Sequence, residues 1–360
     1  MSGRIHLLIG TTKGAFVLDG DAGRRDWAIR GPFCDGWPIN HVIGDPETGV
    51  IHAAGGSPWH GIGVWRSDDL GGSWRWSGEG IHAEERAAPI DSVWSLGRAP
   101  GRLYAGTRPA ELFESRDGGE TWARLDALTA HPSRAHWHPG GAGLTLHHIV
   151  TDPGNPGRIW VGISSAGVFA SEDGGASWEP RNMGVRNDYA ETEAERCGAP
   201  YGQCVHGLAL GPGGVMYQQN HCGMYRSLDA GRSWQSIEAG LPSSFGFPVG
   251  VHPRDPGVVW LVPMNGDVAG RYMPGAAAAV WRSMDGGATW AAQRRGLPQE
   301  HCYFTVLRQA LAVDDGEPAG VYFGTNAGSI HASADEGESW VEVARNLPTV
   351  LSVEVMRLGG

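Results

Sequence analysis

Apolar residues along the chain come in short runs, each cut off by Gly, Pro, Asp or Asn. LHHIVTDP (146–153), RIWVGI (158–163), GVFAS (167–171) and SWEPR (177–181) form one group of four. VHGLALGP (205–212), VMYQQ (215–219), GMYRS (223–227) and SWQSI (233–237) form the next. Short runs of this kind, evenly spaced and separated by turn residues, predict an all-β chain. The rhythm opens on a second strand, IHLLIG (5–10), and closes on a first strand, VLSVEV (350–355). The last strand is therefore expected to complete the first group, which removes the edges an open array would expose.

The third and fourth strands of each group flank one eight-residue pattern. It occurs as SDDLGGSW (67–74), SRDGGETW (115–122), SEDGGASW (171–178), SLDAGRSW (227–234), SMDGGATW (283–290) and SADEGESW (333–340). All fit Ser-x-Asp-x-Gly-x-Ser/Thr-Trp, and a period near 50 residues marks a repeat architecture. DGDAGRRDW (19–27) reads as a decayed seventh copy that keeps Asp21, Gly23 and a displaced Trp27. The Asp is suited to accept backbone N–H groups and the Gly to take positive φ. Each Trp buries ~150–250 Å², an upper bound of roughly 4–6 kcal/mol. The box is thus a folding device, since identical residues around a ring do not converge on one site.

The pattern resembles the Asp-box, or BNR repeat, of sialidase-like β-propellers, bacterial members of which carry glycosyl hydrolase labels. With the strand count it predicts one seven-bladed β-propeller over 1–360. Blade 1 is expected from 350–358 plus 4–30, and blade 2 from 39–77. Blades 3 to 7 follow at 91–125, 146–181, 204–237, 247–293 and 303–343. With strands named A to D from the channel outward, the A–B turns and box turns share one face. The B–C loops and D-to-A connections share the other. That second set is long and irregular (31–40, 79–91, 126–145, 182–203, 262–279, 294–302), and variable loops on a rigid scaffold are where function is expected.

Composition narrows the partners. A net charge of −11 with no basic block argues against a nucleic-acid groove. No apolar run reaches the length of a membrane span. MSGRIHLLIG lacks the layout of a signal peptide, and five cysteines are a sparse, odd set, so a cytoplasmic protein with reduced thiols is expected. Lys13 is the one lysine among 28 basic residues, which makes it a catalytic candidate.

Most of the 15 histidines fall on the variable face. His41 and His148 hold the same place, five before the Pro of an A–B turn, and His206 is one residue off that register. With His221 they form a candidate site for zinc, iron or copper with an open coordination position. Cys204, Cys222 and Cys302 are further candidates, as ligands or, for Cys222, as a nucleophile, and each reads equally as buried packing. Candidates for substrate contact are Trp37, Trp59, Arg108, Arg186, Tyr189, Gln219, Asn220, Arg271 and Tyr272. Arg186 and Tyr189 belong to the acidic loop 182–203, a possible lid, and Arg271 and Tyr272 to the rim element 262–279.

The resemblance implies a site at the channel mouth. Sialidases need an arginine cluster, a Tyr–Glu pair and an acidic residue there. Their Arg-Ile-Pro motif is absent here, and they are usually six-bladed. Seven-bladed Asp-box relatives include xyloglucan-type glycosidases. Three readings follow. The first is a hydrolase-type enzyme acting on a small polar, sugar-like substrate at a His-rich, metal-assisted mouth. The second is a metal-free glycosidase using an acidic pair such as Glu111 and Asp267. The third is a binding scaffold, as in photosystem-assembly and sortilin relatives of the fold.

Overall fold

The box turns show how the sequence builds the blades. In SEDGGASW, the Ser171 hydroxyl donates to Asp173 Oδ1 at 2.8 Å and accepts the Gly175 N–H at 2.8 Å. Asp173 also accepts from Ser177 N at 2.9 Å and Ser177 Oγ at 2.6 Å. Gly175 sits at φ 93°, where a Cβ is strained. The same bonds recur in the other five boxes. The box serine, given no role by sequence, is half of the wiring. Most box tryptophans then sink between neighbouring blades: Trp122, Trp178, Trp234 and Trp340 are buried.

The computed structural model describes residues 4–81 and 89–358. They form seven four-stranded sheets, each antiparallel. Blade 1 runs Val350–Arg357, Ile5–Thr11, Gly14–Gly20, Trp27–Phe33. The A and B strands of the others are Ile39–Gly44 and Ile51–Ser57, Ser92–Ala99 and Arg102–Arg108, Leu146–Asp152 and Asn155–Ile163. Blades 5 to 7 continue with Val205–Leu210 and Met216–Asn220, Gly246–Val251 and Val259–Pro263, Leu311–Val313 and Val321–Gly324. The protein is a seven-bladed β-propeller closed by its last strand, which pairs Arg357 with Ile5 and Val350 with Thr11.

A side-chain lock reinforces that closure. Asp21 accepts the N–H groups of Gly23, Arg25 and Asp26, so the seventh box keeps its aspartate. Its left-handed position is held by Arg24 (φ 59°) rather than Gly23, three before Trp27 as the box glycine is three before its tryptophan. From there Arg24 grips Asp314 of blade 7 through Nε at 2.8 Å and Nη2 at 2.7 Å. Tyr322 donates to the same carboxylate at 2.7 Å. All three side chains are largely buried.

The A–B turn 46–49 and the box residues 68–70 line one surface depression with Asp315 and Arg357, so these turns share a face. The opposite face carries the long loops. Of the loop 79–91, residues 82–88 lie outside the described residues. The loop 182–203 folds back through a helix at Glu193–Gly198, capped by Thr192 and Glu195. The A strands line a central channel of about 310 Å³, to which the seven blades contribute Glu354, His41, Leu96, His148, Leu208, Val249 and Leu311.

Candidate functional site

At the mouth, most A strands break register. A bulge or similar irregularity separates Ile39 from His41, Val93 from Ser95, Leu146 from His148, Val205 from Gly207 and Gly246 from Val249. The skipped residues are Asn40, Trp94, His147, His206 and the pair Phe247–Pro248. A bulge re-aims the side chain it carries. Here the bulged side chains touch from blade to blade. Asn40 donates to the Val93 carbonyl at 2.9 Å. Trp94 meets the His147 ring edge-on at 5.7 Å, and His206 packs on Phe247 at 4.8 Å. Arg308, just before the A strand of blade 7, lies over the Phe247 ring at 4.6 Å. His206 is thus the counterpart of His147, not of His41 and His148, which explains its one-residue offset.

Three donor atoms meet beside this ring. One each from Cys204, His206 and His221 lie within 4.8 Å of one another. His206 is buried, and its Nδ1 donates to the Gly246 carbonyl at 2.7 Å. A carbonyl only accepts, so Nε2 is left with its lone pair. Burial pushes the His206 pKa well below its ordinary value, and burial also lowers that of His221. Both rings are therefore neutral at pH 7, the form that binds metals. The His206 and His221 rings stand 5.1 Å apart, with Phe245 against both.

Cys204, His221, Tyr189 and Asp267 all line a cavity of about 980 Å³, bounded by residues 136–141 and by the loop 182–203. His221 Nε2 lies 2.7 Å from the Tyr189 hydroxyl and 3.8 Å from Asp267 Oδ2. The loop 182–203 and the rim 262–279 thus meet on one imidazole. Zinc bound by sulfur and nitrogen at ~2.0–2.3 Å places its ligands roughly 3.3–3.7 Å apart, so the three donors fit in kind and need to close by about 1 Å.

The other sequence candidates are placed as follows. His41 and His148 line the channel, whereas Cys204 and His221 line the cavity. His41 bonds to Glu354 at 3.3 Å and accepts the Leu96 N–H at 2.9 Å, while burial lowers His148 to about 3. The four-histidine set therefore divides in two. Glu111 pairs with Arg124 at 3.6 Å on the outer part of blade 3, whereas Asp267 faces the cavity, so these two carboxylates do not share a wall. Burial raises Cys222 to about 11 and keeps its thiol protonated, which does not suit a nucleophile. Lys13 is exposed at the B–C turn of blade 1.

Trp37 packs among His60, Trp65 and Trp76, and Trp59 stands 91% exposed. Arg108 pairs with Asp91 at 3.2 Å and Arg186 with Asp188 at 2.8 Å. Gln219 donates to three backbone carbonyls and Asn220 caps its own turn, so both amides are engaged in the hairpin. Tyr272 meets Tyr303 edge-on at 5.1 Å, and Arg271 is exposed on the rim with its carbonyl held by Thr305. The strand pattern places His147 beside His148 on the loop-face side without indicating the bulge, and it does not single out Arg308. The one sequence signal was the dipeptide His147–His148: strict alternation on an innermost strand has room for one inward imidazole, so two adjacent ones imply a bulge.

No family model matches the chain. It is 28% identical over 224 residues to the probable oligoxyloglucan-reducing end-specific xyloglucanase of Neosartorya fischeri, covering 53% of this chain and 25% of that protein. A xyloglucanase of Hypocrea jecorina is 25% identical over 326 residues, 81% of this chain and 36% of the relative. The chain thus spans about a quarter to a third of the length of these relatives. Among solved structures, a GH74 enzyme of Niastella koreensis superposes with a TM-score of 0.58 at 16% identity, over 97% of this chain and 51% of that one. YCF48 bound to D1 peptide gives 0.54 at 14% identity, over 85% and 82%. These structural likenesses show the propeller fold.

Proposed function

We propose that the protein is a hydrolase acting on a small polar, sugar-like substrate at the channel mouth, with a divalent transition metal held by Cys204, His206 and His221. The observation that carries this reading is the meeting of those three donors beside the cavity of about 980 Å³ on the loop face, whose wall includes Cys204 and His221. Sequence likeness to xyloglucanases supports hydrolysis of a sugar. Cys204, His206 and His221 would hold zinc, iron or copper, which would supply Lewis-acid polarisation of a substrate oxygen and a more acidic water. The chain's own groups do the remaining work. Asp267 accepts the proton of the attacking water, and the Tyr189 hydroxyl fixes the His221 ring. Phe245 and Phe247 keep bulk water from the imidazoles. The proposed setting is the cytoplasm, where the Cys204 thiol stays reduced.

Elemental analysis of the purified protein tests the metal, together with hydrolysis of aryl glycosides and xyloglucan oligosaccharides. Stoichiometric metal in the wild type, lost in Cys204→Ser and His206→Ala together with turnover, is the expected result. Protein that stays metal-free after incubation with zinc, iron and copper overturns the metal. Turnover that survives in the same metal-free protein points to an acid pair built on Asp267, and a well-folded protein without turnover on any substrate to a scaffold.

A further inference from the structure

Among the described residues, Arg308 is a cation without a carboxylate partner. Its Nε is sealed from solvent and has no hydrogen-bond partner, while the residue keeps partial exposure on the channel. The groups acting on its charge are the Cys204 thiol and a second cation, Arg271. Burial lowers its pKa to about 10, which leaves it charged at neutral pH. A guanidinium whose Nε is sealed and unpartnered is held at a cost unless an anion pairs with it.

The groups around it are also unsatisfied. Both ring nitrogens of His147 are sealed and unpartnered, and so is Nδ1 of His148. Arg308 lines the channel together with His148 and stacks on the Phe247 ring against which His206 also packs. A neutral imidazole carries one N–H donor. The Arg308 guanidinium and the one N–H that a neutral His147 carries together form the reverse image of an oxyanion. The stacking of Arg308 on Phe247 and the bond from Gln309 Nε2 to the His147 carbonyl at 2.8 Å hold the two sides in place.

We propose that the channel mouth binds a small oxyanion, a carboxylate or phosphate group carried by the ligand, on the Arg308 guanidinium with His147 as a further contact. The step from oxyanion to an acidic sugar-like substrate rests on the hydrolase reading; the anion site itself does not.

Melting temperature is measured in sodium chloride, sodium acetate and sodium phosphate at matched ionic strength. A saturable rise with acetate or phosphate over chloride is expected. The two salts distinguish a carboxylate from a phosphate ligand. Arg308→Gln abolishes the rise, and Arg308→Lys, which keeps the charge but loses the fork, weakens binding about ten-fold. The lysine variant serves if the glutamine variant does not fold. Equal melting in the three salts overturns the proposal, as does a rise that persists undiminished in both variants. Anion binding seen only in Cys204→Ser also overturns it, because the thiolate would then be the counter-charge. Protein that binds acetate through Arg308 but holds no metal and turns nothing over sinks the hydrolase reading alone.

Discussion

The Tyr189 hydroxyl reaches His221 Nε2 at 2.7 Å although Tyr189 is 66% exposed. An exposed loop residue spends its one polar atom on a half-buried imidazole of the neighbouring blade. Tyr189→Phe keeps the ring contact with His221 and removes that bond. A neutral hydrogen bond contributes about 0.5–1.5 kcal/mol, so kcat/KM should fall roughly 2- to 10-fold with no change in melting temperature. Steady-state kinetics beside a thermal melt checks both halves.

Arg24 and Asp314 tie blade 1 to blade 7 across 290 residues of chain. Breaking a buried pair strands the remaining charge, so Arg24→Ala should cost about 3 kcal/mol in a denaturant melt. The double variant Arg24→Ala, Asp314→Asn should cost clearly less than the two single changes summed. Full additivity would show that the pair does not act as a lock.

Asp173→Ala removes the acceptor of three hydrogen bonds in a turn on the face remote from the mouth. Melting temperature should drop by several degrees while activity per folded molecule holds. Lost activity at an unchanged melting temperature would place the box near the chemistry and contradict the face assignment.

The boxes also set a pH window. Asp117 is pulled down to about 2 by hydrogen bonds from Thr121 and Ser115 that outweigh desolvation, and Asp69, Asp173 and Asp285 to about 2 by bonds from their own box residues. A folded pKa below the unfolded value near 3.8 stabilises fully above pH 3.8, and that contribution is lost as pH falls toward 2. Acid unfolding should steepen below pH 4 with uptake of several protons, and Asp173→Asn should shallow the slope. A flat stability curve from pH 5 to 2.5 would contradict the coupling.

The ring was legible because the box writes the same covalent instructions six times, and four fixed positions survive any drift between them. His206 and His221 were legible as neighbours once the blades were counted. What escaped was set by registers that no alternating pattern records. A bulge re-aims one of two adjacent residues, so His148 lines the channel while His147 turns to the Trp94 ring of the next blade. Arg308 precedes a short strand without a motif, and only the unpartnered state of its guanidinium singles it out. The two carboxylates offered as an acidic pair have different partners: Glu111 pairs with Arg124, and Asp267 lies 3.8 Å from His221.

The strand Val350–Arg357 is the innermost member of a blade whose other three strands come from Ile5–Phe33. Two stretches far apart in the sequence therefore share one sheet, and their pairing brings the Glu354 carboxylate to His41. Deleting 350–357 would strip Glu354 from the channel wall and leave Ile5–Thr11 as a bare, unpaired edge. Ring integrity and the shape of the channel thus hang on the same seam.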